Sequence, residues 1–356
     1  MNGAVIALTP GGRELALRVA ATTGFAVYLP EKLQEAADSA NSFLSLPDTL
    51  HAAFAEREAL VLIMACGIAV RLLAPLLRSK QTDPAVVVMD EAGRFAVSLV
   101  SGHWGGANQL AARLGELTGA VPVITTATDV HGLLAIDVFA GEIGARPEPF
   151  ARVKDFNAAM LRKETVAVFS DITHPEASGL CFYPLIRYKE LAPDFAFRAL
   201  LTNLAVYPGS SEEDLYLRPP NLYVGVGCRR GVAAERIITA IRTVLSRFNL
   251  AEGCLAGLAS LEAKKDEPGL LLAAEKLNVP VCFYSREDIL ALQAPVQASA
   301  FVQEKMGVKA VCEPAAMLAA GSQRLLVPKQ KMDGITVAVA EQKYPWSGLG
   351  PAGRKC

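Results

Sequence analysis

Val61-Leu62-Ile63-Met64-Ala65, halted by Cys66-Gly67, is an unbroken apolar run with no polar alternation. A short run of this kind between turn signals fits a strand covered on both faces, the habit of parallel sheets in α/β proteins. The flanks agree. Upstream, the pattern predicts a strand over 3–8, a helix over 11–22 and a second strand over 25–28. Residues 39–47 look like a loop, and a short helix is expected over 49–56. Downstream, helical spacing runs over 68–77, and 84–89 is another doubly buried strand. Asp90-Glu91-Ala92-Gly93-Arg94 then turns the chain into a strand over 95–100, which makes a hairpin. A helix over 107–117 closed by Gly119 and a strand over 121–124 follow, with a polar loop at 125–132.

Between 141 and 220 eight prolines interrupt the chain and periodicity fades, apart from Val166–Phe169. Leu222–Val226 restarts the strand–helix alternation, and Ser285-Arg286-Glu287-Asp288 has the form of a capping box. Further strands are expected over 325–327 and 336–340. The expected fold class is therefore multi-domain α/β, with mostly parallel or mixed sheets flanked by helices and a smaller α+β middle domain. The divisions are 1–140, an N-terminal α/β domain; 141–220, the middle domain and linker; 221–343, a C-terminal α/β domain; and 344–356, a loose tail.

Composition narrows the function. The 356 residues include 35 Lys plus Arg against 36 Asp plus Glu, and 52% are hydrophobic, which excludes a largely disordered chain. A net charge of −1 lacks the basic excess that sequence-independent nucleic-acid binding needs. The longest apolar stretch, 59–70, is shorter than the ~20 residues of a spanning helix. With no basic leader at the start, a cytoplasmic protein that contacts neither nucleic acid nor membrane is expected. Cysteines 66, 181, 228, 254, 282, 312 and 356 never form CxxC, so all are expected as thiols rather than a disulfide frame or a zinc site.

Ligands of open α/β sheets bind outside strand carboxyl ends, where four loops qualify: 66–71, 100–108, 125–132 and 227–231. In Ser101-Gly102-His103-Trp104-Gly105-Gly106-Ala107-Asn108, glycines admit a close ligand and the following helix aims free amides at it. His103 titrates near neutrality, and Trp104 offers an indole for stacking. Asp129 and His131 stand two apart, a spacing that pairs a base with an orienting carboxylate on extended chain. His51 and His174 are expected at the surface. Gly225-Val226-Gly227-Cys228-Arg229-Arg230-Gly231 places its last glycine one residue late for a dinucleotide fingerprint, which disfavours a nicotinamide enzyme. Its arginines suit carboxylates or phosphates, as does the charge run around Lys264.

Taken together, Cys66-Gly67-Ile68-Ala69-Val70-Arg71, Thr82-Asp83-Pro84, Asp90-Glu91-Ala92-Gly93-Arg94-Phe95, Ser101-Gly102-His103 and Thr125-Thr126-Ala127-Thr128-Asp129-Val130-His131-Gly132 form a recognisable series. So do Val224–Gly231, Lys264 and Asp266-Glu267-Pro268-Gly269-Leu270. The chain resembles the cobalt-precorrin-5A hydrolase family of anaerobic cobalamin (vitamin B12) biosynthesis. That resemblance implies opening of the ring A δ-lactone of cobalt-precorrin-5A and loss of the former meso-carbon as acetaldehyde, giving cobalt-precorrin-5B. It implies that cobalt arrives inside the substrate, with no protein cofactor or metal, and it points to the neighbouring pathway methyltransferases as partners. Set against that chemistry, His103 is the expected base, Asp129 and His131 a second acid/base pair, and Glu91 a further candidate. Arg71, Arg229, Arg230 and Lys264 are assigned to substrate carboxylates, with Gly102, Gly105, Gly106, Asn108, Thr126 and Gly227 completing the substrate cradle. The alternative is a non-catalytic carrier of corrinoid intermediates in the same pathway.

Overall fold

In the computed structural model, β1 (Gly3–Ala7) and β4 (Ala59–Ile63) lie side by side, and every residue of both is buried. The structure describes residues 2–35, 39–172, 180–292 and 311–343; His174 and the expected tail at 344–356 lie outside them. β2 (Ala26–Pro30), β3 (Ala40–Phe43), β5 (Ala85–Met89), β6 (Phe95–Val100) and β7 (Val121–Val123) complete a sheet of order β3-β2-β1-β4-β5-β6-β7. Helices cover both faces. Val5, Val61 and Val87 pack with Leu15 and Val19 of α1 (Pro10–Thr23) and Leu110 and Leu114 of α4 (Ala107–Thr118). Their strand neighbours Ile6, Leu60, Leu62 and Val86 pack on the other face with Leu50 of α2 (Leu46–Glu56) and Leu73 of α3 (Cys66–Leu73). Successive side chains thus enter two different cores, which is why these strands show no polar alternation.

Two expectations need correction here. The loop expected at 39–47 contains β3, whose Ala-Asn-Ser-Phe sequence is polar because an edge strand has little to bury. The polar loop at 125–132 contains one helical turn, α5 (Ala127–Val130), and α6 (Ile136–Glu142) follows. Strand direction matters more for the site. β1 to β5 are parallel, β6 returns antiparallel to β5, and β7 is parallel to β6. The carboxyl ends of β6 and β7 therefore lie at the opposite end of the sheet from those of β1, β4 and β5.

The first compact unit ends at Val138, and a second begins at Phe139. The second unit holds two sheets. The first has order β10-β9-β11-β12-β8, from β8 (Arg146–Glu148), β9 (Val166–Ser170), β10 (Cys181–Pro184), β11 (Phe197–Leu201) and β12 (Leu215–Arg218); only β8 is antiparallel. Phe169, Leu200 and Tyr216 share its core with Tyr188. The other has order β15-β14-β13-β17-β16, from β13 (Leu222–Cys228), β14 (Leu255–Leu261), β15 (Val281–Tyr284), β16 (Leu325–Met332) and β17 (Ile335–Glu341). β16 and β17 form a hairpin through Asp333-Gly334, both at positive φ, the geometry a two-residue turn requires. The expected capping box is present at Ser285 and Asp288.

No helix among the described residues is long and apolar enough to cross a membrane. Cys66, Cys181, Cys228, Cys254 and Cys312 are free thiols, whereas Cys282 is disulfide-bonded, against the all-thiol expectation. Thiol pairing depends on spatial approach, which sequence spacing does not report.

Candidate active site

At the end of β6 the chain enters its loop through Ser101, at φ 57°. Its hydroxyl donates to the Asp83 carbonyl at 2.9 Å, anchoring the loop beside the start of β5. The amides of Ala107 and Asn108 donate to the carbonyls of Ser101 and Gly102 at 3.1 and 2.9 Å. The first amides of α4 are therefore spent on the loop itself rather than aimed at a ligand. The glycines have an equally local explanation. A Cβ on Gly102 would stand 2.8 Å from Asn108 Oδ1, and one on Gly105 would stand 2.4 Å from Ser101 Cβ. Gly106, at φ 86°, caps α4. Trp104 is half-buried.

Asn108 is buried and organises what surrounds it. Ser98 Oγ donates to its Oδ1 at 2.6 Å, which fixes the amide so that Nδ2 donates to Thr126 Oγ1 and to Asp129 Oδ2, both at 3.1 Å. Thr126 and Asn108 thus hold the site together instead of reaching outward. Asp129 Oδ2 also lies 2.8 Å from His103 Nε2, with Thr128 Oγ1 3.2 Å from the same nitrogen. On the other side of the ring, His103 Nδ1 faces Asp137 Oδ2 at 3.4 Å, and the Asp137 side chain is only 9% exposed. The His103 side chain is 13% exposed and that of Asp129 39%, so the carboxylate of α5 is the more accessible partner. Burial opposes a charge on the imidazole, but hydrogen bonds and attraction from Asp137 and Asp129 outweigh it and raise the His103 pKa above its ordinary value.

The sequence-expected pairing of Asp129 with His131 is not what the chain forms. On the turn of α5, Asp129 meets His103, while His131 caps the helix with its side chain exposed. The two-residue spacing aligns side chains on a strand but not on a helix. Glu91 is also displaced, standing in the β5–β6 turn beside Gly11, at the end of the sheet opposite His103. Arg71 is exposed on α3, which begins at that same opposite end. The hairpin reversal separates loops that appear equivalent when read as a list of strand ends.

Arg229 and Arg230 are exposed after β13, and the Arg229 amide donates to the Gly334 carbonyl at 3.2 Å. A Cβ on Gly227 would stand 2.5 Å from Thr336 Oγ1, so that glycine admits a neighbouring strand. Lys264 corrects its expected role as an open anion anchor. It is buried, with Nζ 3.3 Å from Glu267 Oε2, and Glu267 Oε1 accepts the Gly231 amide at 2.7 Å. Burial works against the Glu267 carboxylate, yet the Gly231 amide and Lys264 hold its pKa below the usual range. Sequence reasoning missed Asp137 and Glu267. Asp137 is a lone acid within the apolar stretch 133–140, and that isolation was a usable signal.

Fold and cluster define a multi-sheet α/β protein with a carboxylate-flanked histidine of the acid–base kind. Known families cover it in order: cobalamin synthesis G, N-terminal, matches 48–129; the cobalamin biosynthesis central region matches 134–219; and cobalamin synthesis G, C-terminus, matches 222–340. The cobalt-precorrin-5A hydrolase of Salmonella typhimurium is 34% identical over 345 residues, covering 94% of this chain and 96% of that one. The Priestia megaterium protein of the same name is 32% identical over 356 residues, covering 96% and 95%. Protein CobE of a Sinorhizobium species is 34% identical over 110 residues, 30% of this chain and 70% of its own. The chain belongs to the cobalt-precorrin-5A hydrolase family.

Proposed function

We propose that this chain is itself a cobalt-precorrin-5A hydrolase. It adds water to the ring A δ-lactone of cobalt-precorrin-5A and releases the former meso-carbon, with its methyl group, as acetaldehyde, leaving cobalt-precorrin-5B. The observation that carries the reading is the 2.8 Å contact between His103 and a partly exposed Asp129, in a full-length relative of named hydrolases. Both halves of the reaction need an acid and a base within reach of each other. In the first, water loses a proton as it attacks the acyl carbon, and the departing ring oxygen gains one. In the second, the freed hydroxyl loses its proton as the C–C bond breaks. The electron pair passes into the conjugated macrocycle, and a ring carbon is protonated.

The exposed guanidiniums of Arg229 and Arg230 suit the acetate and propionate groups of such a substrate. Cobalt enters as part of the substrate, and we assign the protein no resident cofactor. The reaction belongs to the cytoplasm, beside the methyltransferases that handle adjacent intermediates. Anaerobic incubation with cobalt-precorrin-5A, trapping volatile aldehyde, tests the proposal. One equivalent of acetaldehyde per substrate is expected, with at least a 100-fold loss of rate in His103→Ala. Tight corrinoid binding without acetaldehyde would replace the enzyme by a carrier.

A further inference from the structure

We infer that His103 enters the reaction as an imidazolium acid, that Asp129 is the base, and that Asp137 is the positioning residue that keeps this division of roles. The inference rests on the hydrolase reading and deepens it. It begins from hydrogen-bond chemistry. An ionised carboxylate only accepts, so a ring nitrogen facing one must carry a proton. Both nitrogens of His103 face carboxylates, Nε2 at 2.8 Å from Asp129 and Nδ1 at 3.4 Å from Asp137. A neutral imidazole has a single N–H and would leave a lone pair directed at one of them. With both acids ionised, the charged ring is the form that satisfies both contacts. Asp129 and Asp137 are the titratable groups that face the ring, from α5 and α6; Thr128 adds a neutral contact to Nε2, and Asn108 one to Asp129.

The two acids are not equivalent. Asp137 is covered, so it acts as a fixed counter-ion that sets ring orientation and charge. Asp129 is tethered through one oxygen only. Its Oδ2 takes His103 and Asn108, while no hydrogen bond to Oδ1 is found among the described residues. Oδ1 is the oxygen left to hold water.

The proton traffic then closes. In lactone opening, Asp129 accepts a proton from the attacking water while His103 gives its Nε2 proton to the departing ring oxygen. The acyl–oxygen bond breaks as the new C–O bond is made. The neutral Nε2 then takes the proton from Asp129 once the carboxyl turns its protonated oxygen to the ring, restoring the starting state. In the second step Asp129 takes the hydroxyl proton, the C=O of acetaldehyde forms, the C–C bond breaks, and His103 protonates the ring carbon. The same transfer resets the pair. One centre serves both bond cleavages without an outside proton donor.

The test is the protonation state of His103 in the full-length protein by ¹⁵N NMR, alongside the pH profile of acetaldehyde release. Both ring nitrogens are expected to be protonated at pH 7, and the rate should fall on the alkaline side as His103 loses its proton. Asp137→Asn keeps the shape of the side chain but removes its charge. It should move the alkaline limb down by a unit or more, so that the loss of rate relative to the parent is about tenfold greater at pH 8 than at pH 6. A neutral, single-tautomer His103 at pH 7 in the unaltered protein overturns the inference, as does an unmoved alkaline limb in a folded Asp137→Asn. The NMR measurement needs no turnover, so it decides this point even if acetaldehyde release fails and the hydrolase reading falls.

Discussion

Lys264 offers the sharpest separation of a structural from a ligand-binding role. Its side chain is 11% exposed and its ammonium donates to Glu267, itself 6% exposed and also holding the Gly231 amide. Replacing Lys264 by Ala leaves a buried carboxylate with one neutral donor. Breaking a buried pair from one side costs about 3–5 kcal/mol, and the surviving Gly231 contact argues for the lower end, about 3 kcal/mol. With a urea dependence of about 2 kcal/mol/M, the unfolding midpoint of the second unit should fall by about 1.5 M. Circular dichroism in urea reads the midpoint, and hydrogen exchange at the Gly231 amide reports the same loss locally. Adding Glu267→Gln to Lys264→Met removes the stranded charge and should recover over half of the deficit. The pH dependence has a definite sign. The Glu267 pKa is depressed in the folded protein, so its contribution is present above the unfolded value, near 4.5, and is lost as pH falls through the folded one. The gap between Lys264→Ala and the parent is therefore widest at neutral pH and shrinks on acidification. A Lys264→Ala protein with unchanged urea midpoint and an elevated KM would refute the brace and restore the anion anchor.

Other expectations follow from the same contacts. Gly102→Ala sets a methyl 2.8 Å from Asn108 Oδ1, which loosens Asp129; kcat should fall by about tenfold for about 1–2 kcal/mol of stability, measured by steady-state kinetics and urea unfolding. Substituting Arg229 and Arg230 together should raise KM severalfold with kcat nearly constant, since both guanidiniums are exposed and suited to carboxylates. His103 has a raised pKa, so its contribution to stability is full below about pH 6.5 and is lost as pH rises through the folded value; the stability difference from His103→Gln should narrow between pH 6 and 9. Burial pushes the Cys254 thiol up to about 12, so alkylation at pH 8 should label exposed Cys66 and Cys181 and spare Cys254, by peptide mass spectrometry.

The fold was legible where burial is symmetric. β1, β4 and β5 announce themselves because both faces meet helices and every position is apolar. β3 was hidden because an edge strand needs few apolar residues, and α5 because a single turn has no period to detect. In the site, His103 and Asp129 stood out as titratable residues in loops after strands, and the structure brings them together. Asp137, the second acid against His103, did not stand out. Which acid meets which histidine depends on chain reversal at the β5–β6 hairpin and on the turn of α5, neither of which appears in spacing along the sequence. Glycines were overread in one direction: Gly102 and Gly105 make room for Asn108 and Ser101, a packing demand indistinguishable in sequence from a demand for ligand access.

The charge of the centre bears on where substrate affinity comes from. Two carboxylates and one imidazolium sum to −1, and a substrate rich in acetate and propionate groups is repelled by that sum. The His103 cluster is therefore suited to proton transfer and unsuited to anchoring. Attraction must come from cations free of internal partners, a test that Lys264 fails and that the exposed guanidiniums of Arg229 and Arg230 meet more nearly. Separating the two tasks has a chemical logic. A cation strong enough to bind several carboxylates, placed beside His103, would drive off the ring proton that the acid role requires. With Asp137 and Asp129, rather than a substrate-binding cation, setting the charge of the ring, binding strength and proton donation can each be adjusted without spoiling the other.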